Sequence, residues 1–509
     1  MKNLLLLFFV SITIFVNAQY KEAIMSPSCK EFFVQNKNLN TSDWTNAELV
    51  SSLPNEDSHY ANLVIDQNNT LHLVYSDDRP DLAPYGQKII YKKKVQGGTW
   101  TNDLIVCEFD GTTVNNHFPE IAVANNADVH IVFRHTVIGE PEYISHSFYN
   151  AQTDSWSQEN ISETNTIALR PYPVVSCTND SRPIAAWEDD EADGGNPNAY
   201  FSYFEGNSWA TQILLGRDDD KKSHSVKITS LANQTSIVCF AEVSEDGNYD
   251  ELFYQIFDES NNTLSEKKQI PTINITQNTY LFNYDIVKST TENMAVLAYS
   301  VRDTIYSLHY DIFNDVFTET SNYIETNGGA YILQKQLDIT CDKYGIFHIP
   351  FSQNNTSGLF YASYSTSDGF SSIENINNYS NIDKPSIVCD NNNKLHMAFC
   401  DIRNDTNGDN YVDREIFYST LDVSTQISKV KLEKIDFKIY PNPAKDKIQL
   451  TIYNEQLDIE YVKIFNMQGQ LVSNLPLTKP GSQQLDVSNL EKGIYIVKLA
   501  NRTRKLIKK

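Results

Sequence analysis

Two distant stretches of this chain carry one pattern of apolar and polar positions. Ala61-Asn-Leu-Val-Ile-Asp-Gln-Asn-Asn-Thr-Leu-His-Leu-Val-Tyr75 aligns with Pro385-Ser-Ile-Val-Cys-Asp-Asn-Asn-Asn-Lys-Leu-His-Met-Ala-Phe399 at nearly every apolar and turn position. Each predicts two strands joined by an Asn-rich turn. Weaker copies run over Pro119–Phe133, Pro173–Trp187, Val226–Phe240, Asn283–Tyr299 and Lys335–Phe351. Anchored on His72, the equivalent positions are His130, Ile184, Ile237, Val296, His348 and His396, at spacings of 58, 54, 53, 59, 52 and 48 residues. A recurrence near fifty residues predicts a propeller or a solenoid. A third strand follows in several copies, aromatic-rich at Lys88–Tyr91, Glu251–Tyr254, Leu359–Tyr361 and Glu415–Tyr418. A fourth opens on a bulky residue: Trp100, Trp156, Trp209, Phe317 or Phe370. Four short strands per repeat is the arithmetic of a propeller blade, and helical periodicity is absent throughout.

The seventh copy lacks a clear fourth strand. The missing piece stands at the front, where Asp43-Trp-Thr-Asn-Ala-Glu-Leu-Val50 matches Thr99-Trp-Thr-Asn-Asp-Leu-Ile-Val106. An N-terminal strand that completes the last blade would close the ring and leave no open edge. The expected fold is therefore all-β: a seven-bladed β-propeller over residues 42–424, with a six-bladed ring carrying one degenerate repeat as the alternative. An N-terminal segment, 19–41, precedes it, and a linker, 425–436, follows it.

The last part of the chain has its own pattern. Phe437-Lys-Ile-Tyr-Pro-Asn-Pro-Ala444 leads into a predicted strand at Lys447–Tyr453, a hairpin at Tyr461–Gly469, a closing pair at Leu485–Leu490 and Gly493–Leu499, and a basic tail, Arg502–Lys509. These motifs, in this order, resemble the type A C-terminal sorting domain of the type IX secretion system of Bacteroidetes. The resemblance implies a small immunoglobulin-like β-sandwich over 437–509. It also implies recognition by the export machinery through a motif at Tyr440, Pro441, Asn442, Pro443, Gly469, Gly493 and Tyr495, and a destination outside the cell or on its surface. The front agrees with such a route: Lys2, an apolar run over Leu4–Phe15 and a small-residue site ending at Ala18 read as a signal peptide over 1–18. That run is too short to span a bilayer comfortably, and no other stretch approaches a transmembrane helix.

Charge narrows the partners. The net charge is −24; residues 431–509 hold 14 Lys and Arg against 8 Asp and Glu, or +6, so the rest carries −30. Such a surface repels nucleic acid and anionic lipid. The seven cysteines (Cys29, Cys107, Cys177, Cys239, Cys341, Cys389 and Cys400) show no CxxC spacing, so a zinc site is unsupported. Cys177, Cys341 and Cys389 share one repeat position and read as small buried side chains.

The apolar strand, Asp-Asn-Asn turn, Leu-His-Leu-Val-Tyr, Ile-x-Tyr and Gly-x-Trp series resembles the sialidase-like, BNR-type propellers. That resemblance speaks to fold more than to activity. Sialidases carry an Arg-Ile-Pro motif and an arginine triad for a carboxylate; this chain lacks the motif, has few propeller arginines (Arg79, Arg134, Arg170, Arg182, Arg217, Arg302, Arg403 and Arg414), and keeps only a fragment of an Asp box at Ser365–Phe370. The recurrent histidines at 72, 130, 348 and 396 read as packing residues between blades. His117, His135 and His146 fall near Arg134, Tyr143 and Tyr149 in the second repeat. Some propeller-shaped polysaccharide lyases abstract a proton with such groups, but no catalytic residue is assigned. Long polar loops join second to third strands and mark the working face. One of them, Asp405-Thr-Asn-Gly-Asp-Asn-Tyr-Val-Asp413, sets oxygens of Asp405, Asn407, Asp409, Asp413 and the Tyr411 carbonyl where a structural Ca²⁺ would find hard ligands. The alternative there is an Asx-rich hairpin. The expected function is a non-catalytic module that binds a glycan or protein, with a glycan-active enzyme, lyase before hydrolase, as the alternative.

Overall fold

A computed structural model describes residues 43–52, 57–78, 87–108, 114–137, 142–162, 172–190, 197–216, 223–243, 250–272, 283–301, 303–318, 322–326, 337–352, 358–377, 383–401, 414–423, 437–452, 461–466, 471–477, 482–499 and 502–509. Ala18, the loop with Asp405, Asn407, Asp409, Tyr411 and Asp413, Gly469, Cys29 and five of the arginines (Arg79, Arg170, Arg217, Arg302 and Arg403) lie outside the described residues. Contacts divide the chain into two units, Met1–Asp422 and Val423–Lys509.

All regular structure among the described residues of the first unit is strand, in seven antiparallel sheets. Their first strands are Asp57–Ile65, Val114–Val123, Val174–Cys177, Ser223–Ser230, Tyr284–Lys288, Thr340–Cys341 and Asp383–Cys389. Each sheet runs outward in sequence order, as in Asp57–Ile65, Leu71–Asp78, Gln87–Lys94, Leu104–Ile105. The seventh departs from that rule. Its outer strand is Glu48–Leu49 from the front of the chain, paired with Tyr418 and Phe417. The first strands pack one against the next, and Asp383–Cys389 packs against Asp57–Ile65.

The alternation of apolar residues fills the spaces between sheets. Leu63, Leu73 and Tyr75 of the first sheet meet Ala398, Cys400 and Ile416 of the seventh, and Val296 and Ala298 of the fifth meet Ile349 and Phe351 of the sixth. The Asn-rich turns between first and second strands have two uses. Asn69 and Asn393 take positive φ, 60° and 67°, which asparagine tolerates. Their amide neighbours also join sheets: Gln67 donates to Asn125 at 2.8 Å, Asn125 to the Asn179 carbonyl at 3.2 Å, and Asn391 to the Gln67 carbonyl at 3.1 Å. The six described cysteines are free thiols; burial pushes Cys177 and Cys389 up to about 12, as suits inert packing groups.

The second unit has a three-stranded sheet (Phe437–Tyr440, Lys447–Ile452, Ser482–Asp486) and a four-stranded one (Leu471–Pro476, Tyr461–Phe465, Gly493–Leu499, Arg502–Lys508). Two sequence expectations change here. The supposed closing pair is not a pair: Ser482–Asp486 bonds to Lys447–Thr451, while Gly493–Leu499 bonds to Arg502–Lys508. The basic tail is itself a strand, because Leu506 between its charges is fully buried in the core with Ile448, Val462 and Val497. The Tyr440–Asn442 motif holds that strand. The Asn442 amide donates to the Lys505 carbonyl at 2.6 Å and accepts from the Ile507 amide at 2.9 Å, leaving Tyr440 76% exposed. Tyr495 is buried and its hydroxyl donates to the Glu491 carbonyl at 2.9 Å.

Candidate functional site

The first strands enclose a cavity of about 270 Å³ lined by residues of all seven sheets. One repeat position supplies most of its polar lining: Asn62, Glu120, Lys227, Asp285, Asp338 and Ser386, with Val174 in the third sheet. Lys384 adds a second cation from the seventh strand. These groups form two arcs. Glu120 accepts from Asn62 and from the Lys384 ammonium. Lys227 lies 3.5 Å from Asp285, and Asp338 accepts the Ile387 amide at 2.8 Å from the neighbouring strand.

A bulge aims these side chains inward. Between His59 and Asn62 the strand advances three residues while its partner advances two, and the same shift occurs at His117/Glu120, His224/Lys227 and Asp383/Ser386. The extra residue turns the strand and takes positive φ: Tyr60 at 58°, Phe118 at 54°, Ser225 at 55° and Lys384 at 40°. Positive φ on Tyr or Phe is a costly conformation, yet it recurs at one place in four sheets. Beside the bulges stands an aromatic cluster in which Phe118 and Tyr172 are buried and Tyr60 is partly exposed. Tyr60 meets Phe118 edge-on at 4.6 Å, and Phe118 meets Tyr172 at 4.4 Å.

Charged side chains near the cluster stand in pairs. Arg134 bonds Glu142. Arg414 reaches both Asp57 oxygens at 3.1 Å. Burial alone would raise Asp57, but His59 and Arg414 outweigh it and hold the carboxyl below its usual range. His117 is the half-buried base of the group. Burial, then His59 and Arg134, pushes it down to about 3, so its imidazole is neutral at physiological pH.

The second-repeat histidines do not converge. His135 is bonded to Asn116 at 2.8 Å. His146 sits between His130 at 3.1 Å and the Trp209 indole at 3.3 Å. Tyr149 is at the other end of its strand from Tyr143, bonded to Asp154 at 2.7 Å. His117 and Arg134 are register partners across two strands, as are His135 and Tyr143.

The recurrent histidines have a role in packing. His72, His348 and His396 bond through Nδ1 to Tyr91, Tyr361 and Tyr418 at 2.7, 2.6 and 2.5 Å. Their Nε2 atoms face Asp66, Asp342 and Asp390 at 3.6, 3.5 and 3.4 Å. Each aspartate uses its other oxygen to accept two amides of the adjacent turn, as Asp390 does from Asn392 and Lys394. The tyrosines then meet a tryptophan of the following sheet edge-on: Tyr91 with Trp156 at 5.2 Å, Tyr361 with Trp44 at 5.7 Å, Tyr418 with Trp100 at 5.3 Å. In the second sheet His146 takes the tyrosine's place against Trp209 at 5.1 Å. Among the described residues no group of three or more His, Cys, Asp or Glu is arranged to hold a metal ion, and no helix is long and apolar enough to cross a membrane.

Sequence reasoning passed over the cavity ring, though a signal existed. Its residues stand ten positions before each repeat anchor, eleven in the fifth sheet, and are polar in six of the seven copies.

Residues 438–509 match the secretion system C-terminal sorting domain family. The second unit is a sorting domain. It directs the protein through the type IX secretion machinery to the cell surface or the medium. Because Asn442 ties the sorting domain's first strand to its last, Asn442→Ala is expected to cost that domain about 1–3 kcal/mol from two lost hydrogen bonds. Less protein should then reach the medium and surface, with more retained in the periplasm, as immunoblots of the fractions would record; equal export would mean the contact is dispensable. No curated protein matches the chain. Similar solved structures include a protein of unknown function from Dyadobacter fermentans (8% identity, TM-score 0.44, covering 74% of this chain and 98% of that one). Others are the Trypanosoma rangeli sialidase with sialic acid (9%, 0.42, 92% and 87%) and the GH93 α-L-arabinofuranosidase of Fusarium graminearum with arabinobiose (10%, 0.43, 75% and 99%).

Proposed function

We propose that the first unit is a seven-bladed β-propeller that binds an extracellular glycan or protein without changing it chemically, and that the sorting domain, an immunoglobulin-like sandwich, delivers it. The ring of packed first strands supports seven blades, each of the seven sheets being one. The observation that carries the binding role is the cavity lined by polar side chains of six sheets, with the partly exposed Tyr60, packed on Phe118, two residues before its Asn62. Aromatic faces beside fixed polar groups suit sugars and peptide side chains alike. Charge chemistry leans the same way. Arg134 and Arg414 are each engaged by a carboxylate, and a histidine held near 3 has little drive to take a proton from a substrate. A structural Ca²⁺ on Asp405, Asn407, Asp409, Asp413 and the Tyr411 carbonyl belongs to this reading as a brace for its loop.

A glycan-active enzyme is the second reading, favoured by the pairing of His117 with Arg134 across adjacent strands. Electrophoresis of the secreted protein through gels cast with neutral and acidic polysaccharides, with and without Ca²⁺, separates the two. Retardation without new reducing ends or unsaturated uronates is the expected result. Tyr60→Ala should weaken retardation about tenfold, equivalent to roughly 1.4 kcal/mol. Cleavage of any polymer would overturn the binding reading.

A further inference from the structure

The cavity ringed by the first strands has more acidic than basic side chains. Three carboxyls, Glu120, Asp285 and Asp338, line it with two ammonium groups, Lys227 and Lys384. Lys384 bonds Glu120, and Lys227 lies 3.5 Å from Asp285. Asp338 is held by backbone donors: the Ile339 amide reaches Oδ1 at 2.7 Å and the Ile387 amide reaches Oδ2 at 2.8 Å. Among the described residues no cation forms an ion pair with it. With all three carboxyls ionised, the ring is one positive charge short of balance. A proton or a cationic ligand can supply that charge. Burial, and then Asp285, lifts the Asp338 carboxyl well above 3.8, against the pull of Lys227, and a cation beside it would displace the proton so held.

We propose, resting on the binding role assigned to the first unit, that the cavity takes the free amine of an amino sugar, its ammonium against Asp338 and Asp285 and its hydroxyls against Asn62, Lys384 and Ser386. An ammonium supplies the one charge that is missing. Its three N–H donors suit the acceptors on this side: each Asp338 oxygen accepts one amide and keeps a second lone pair. A divalent metal ion would overshoot the balance and meet two ammonium groups, and among the described residues no group of three or more His, Cys, Asp or Glu is arranged to hold one. The side chains of Lys227 and Asp285 remain 25% and 18% exposed, so this arc is open to a ligand.

The other arc decides for a sugar. Lys384 and Asn62 each give a hydrogen bond to Glu120, and Ser386 Oγ accepts the Leu63 amide at 3.1 Å. That leaves two N–H donors on Lys384, the Asn62 carbonyl oxygen and the Ser386 hydroxyl proton with capacity for hydroxyl groups. A sugar ring presents such groups on the same small frame as its amine. A lysine side chain carries the same charge but would set four methylenes against these polar atoms, which costs their hydration and returns no hydrogen bond. The volume of about 270 Å³ suits one small ligand, so a terminal sugar residue is the part of a glycan that enters.

Calorimetric titration of the secreted full-length protein with a glucosamine trisaccharide, its N-acetylated counterpart and trilysine tests this. The two sugars share a frame and differ in charge; trilysine has the charge without the hydroxyls. Expected is binding of the free-amine sugar about tenfold tighter than of either other ligand, and about tenfold weaker in Asp338→Asn, which keeps the side-chain shape and loses its charge. Equal affinity for the two sugars in the wild-type protein would overturn the proposal, and that comparison stands even where the variant fails to fold. Equal affinity for trilysine would overturn it too, because the acidic surface as a whole would then be the attractant. So would unchanged sugar binding in a folded Asp338→Asn, which would place the site elsewhere. Retardation in gels by neutral or acidic polysaccharides, with no binding of glucosamine, would overturn the amino sugar alone and leave the binding role standing.

Discussion

A chain that begins after Ser52 is expected to lose the single cooperative unfolding transition of the first unit. The front segment is bound along its length to the last strand. Thr45 donates to the Thr420 carbonyl at 2.9 Å, Val50 to the Ile416 carbonyl at 2.8 Å, and Ser419 donates back to the Thr45 carbonyl at 2.8 Å. It is also gripped from the first sheet. The Lys92 ammonium, almost fully buried, donates to the Val50 carbonyl at 2.9 Å, Ser52 at 3.0 Å and Asp103 at 2.7 Å. Removing the segment opens the edge of Glu415–Asp422 and strips Lys92 of two hydrogen bonds, each worth about 1.5–3 kcal/mol to a charged group, while its ion pair with Asp103 remains. The vacated Trp44 site against Tyr361 adds a cavity; Trp44→Ala alone should cost about 3–5 kcal/mol. Urea unfolding of the truncated and intact proteins tests this, and a synthetic peptide of residues 43–52 should restore part of the loss. An unchanged midpoint after truncation would sink the idea that the front strand secures the ring.

The repeat was legible because it follows from burial. A strand packed on both faces must place apolar residues at fixed intervals, and the turns favour Asn or Gly where φ is positive, as at Asn69, Gly345 and Asn393. The recurrence of histidine was legible too, but its partners were not. Tyr91, Tyr361 and Tyr418 follow their histidines by 19, 13 and 22 residues, since the intervening loops vary, and only strand register brings them together. The cavity ring was obscured by the bulges. One extra residue at Tyr60, Phe118, Ser225 or Lys384 shifts the alternation, so the polar residue after it cannot be assigned to a face by counting. Proximity in sequence misled at the second repeat. His117, His135 and His146 lie close along the chain, yet three different strands carry them, and His135 and His146 are bonded to different neighbours. In the sorting domain, the charges of Arg504, Lys505 and Lys508 hid a strand anchored by the fully buried Leu506.

The Asp–His–Tyr series is expected to behave as a coupled unit, most visibly at Tyr418. Its hydroxyl bonds His396, its ring meets Trp100 edge-on, and the Lys94 ammonium lies over its face at 4.7 Å. Tyr418→Ala removes all three and leaves a cavity between the seventh and first sheets, at about 3–5 kcal/mol. Tyr418→Phe keeps the ring but leaves the His396 Nδ1 atom buried without a partner, at about 1–3 kcal/mol. His396→Leu alone removes the partner of the tyrosine hydroxyl and the imidazole facing Asp390 Oδ2. The double variant Tyr418→Phe, His396→Leu removes both ends of the hydrogen bond, so its cost should fall below the sum of the two singles by about 0.5–3 kcal/mol. Acid supplies a second readout. Burial holds His396 below its ordinary value of 6.5, despite the opposing pull of Asp390. The unfolded chain then binds the proton first, and stability from this histidine is present above 6.5 and lost as pH falls toward the folded-state value. His396→Leu should flatten that part of the acid dependence. Strict additivity in the cycle, together with an unaltered acid profile, would mean that these side chains act as separate packing groups and not as one hydrogen-bonded stitch between blades.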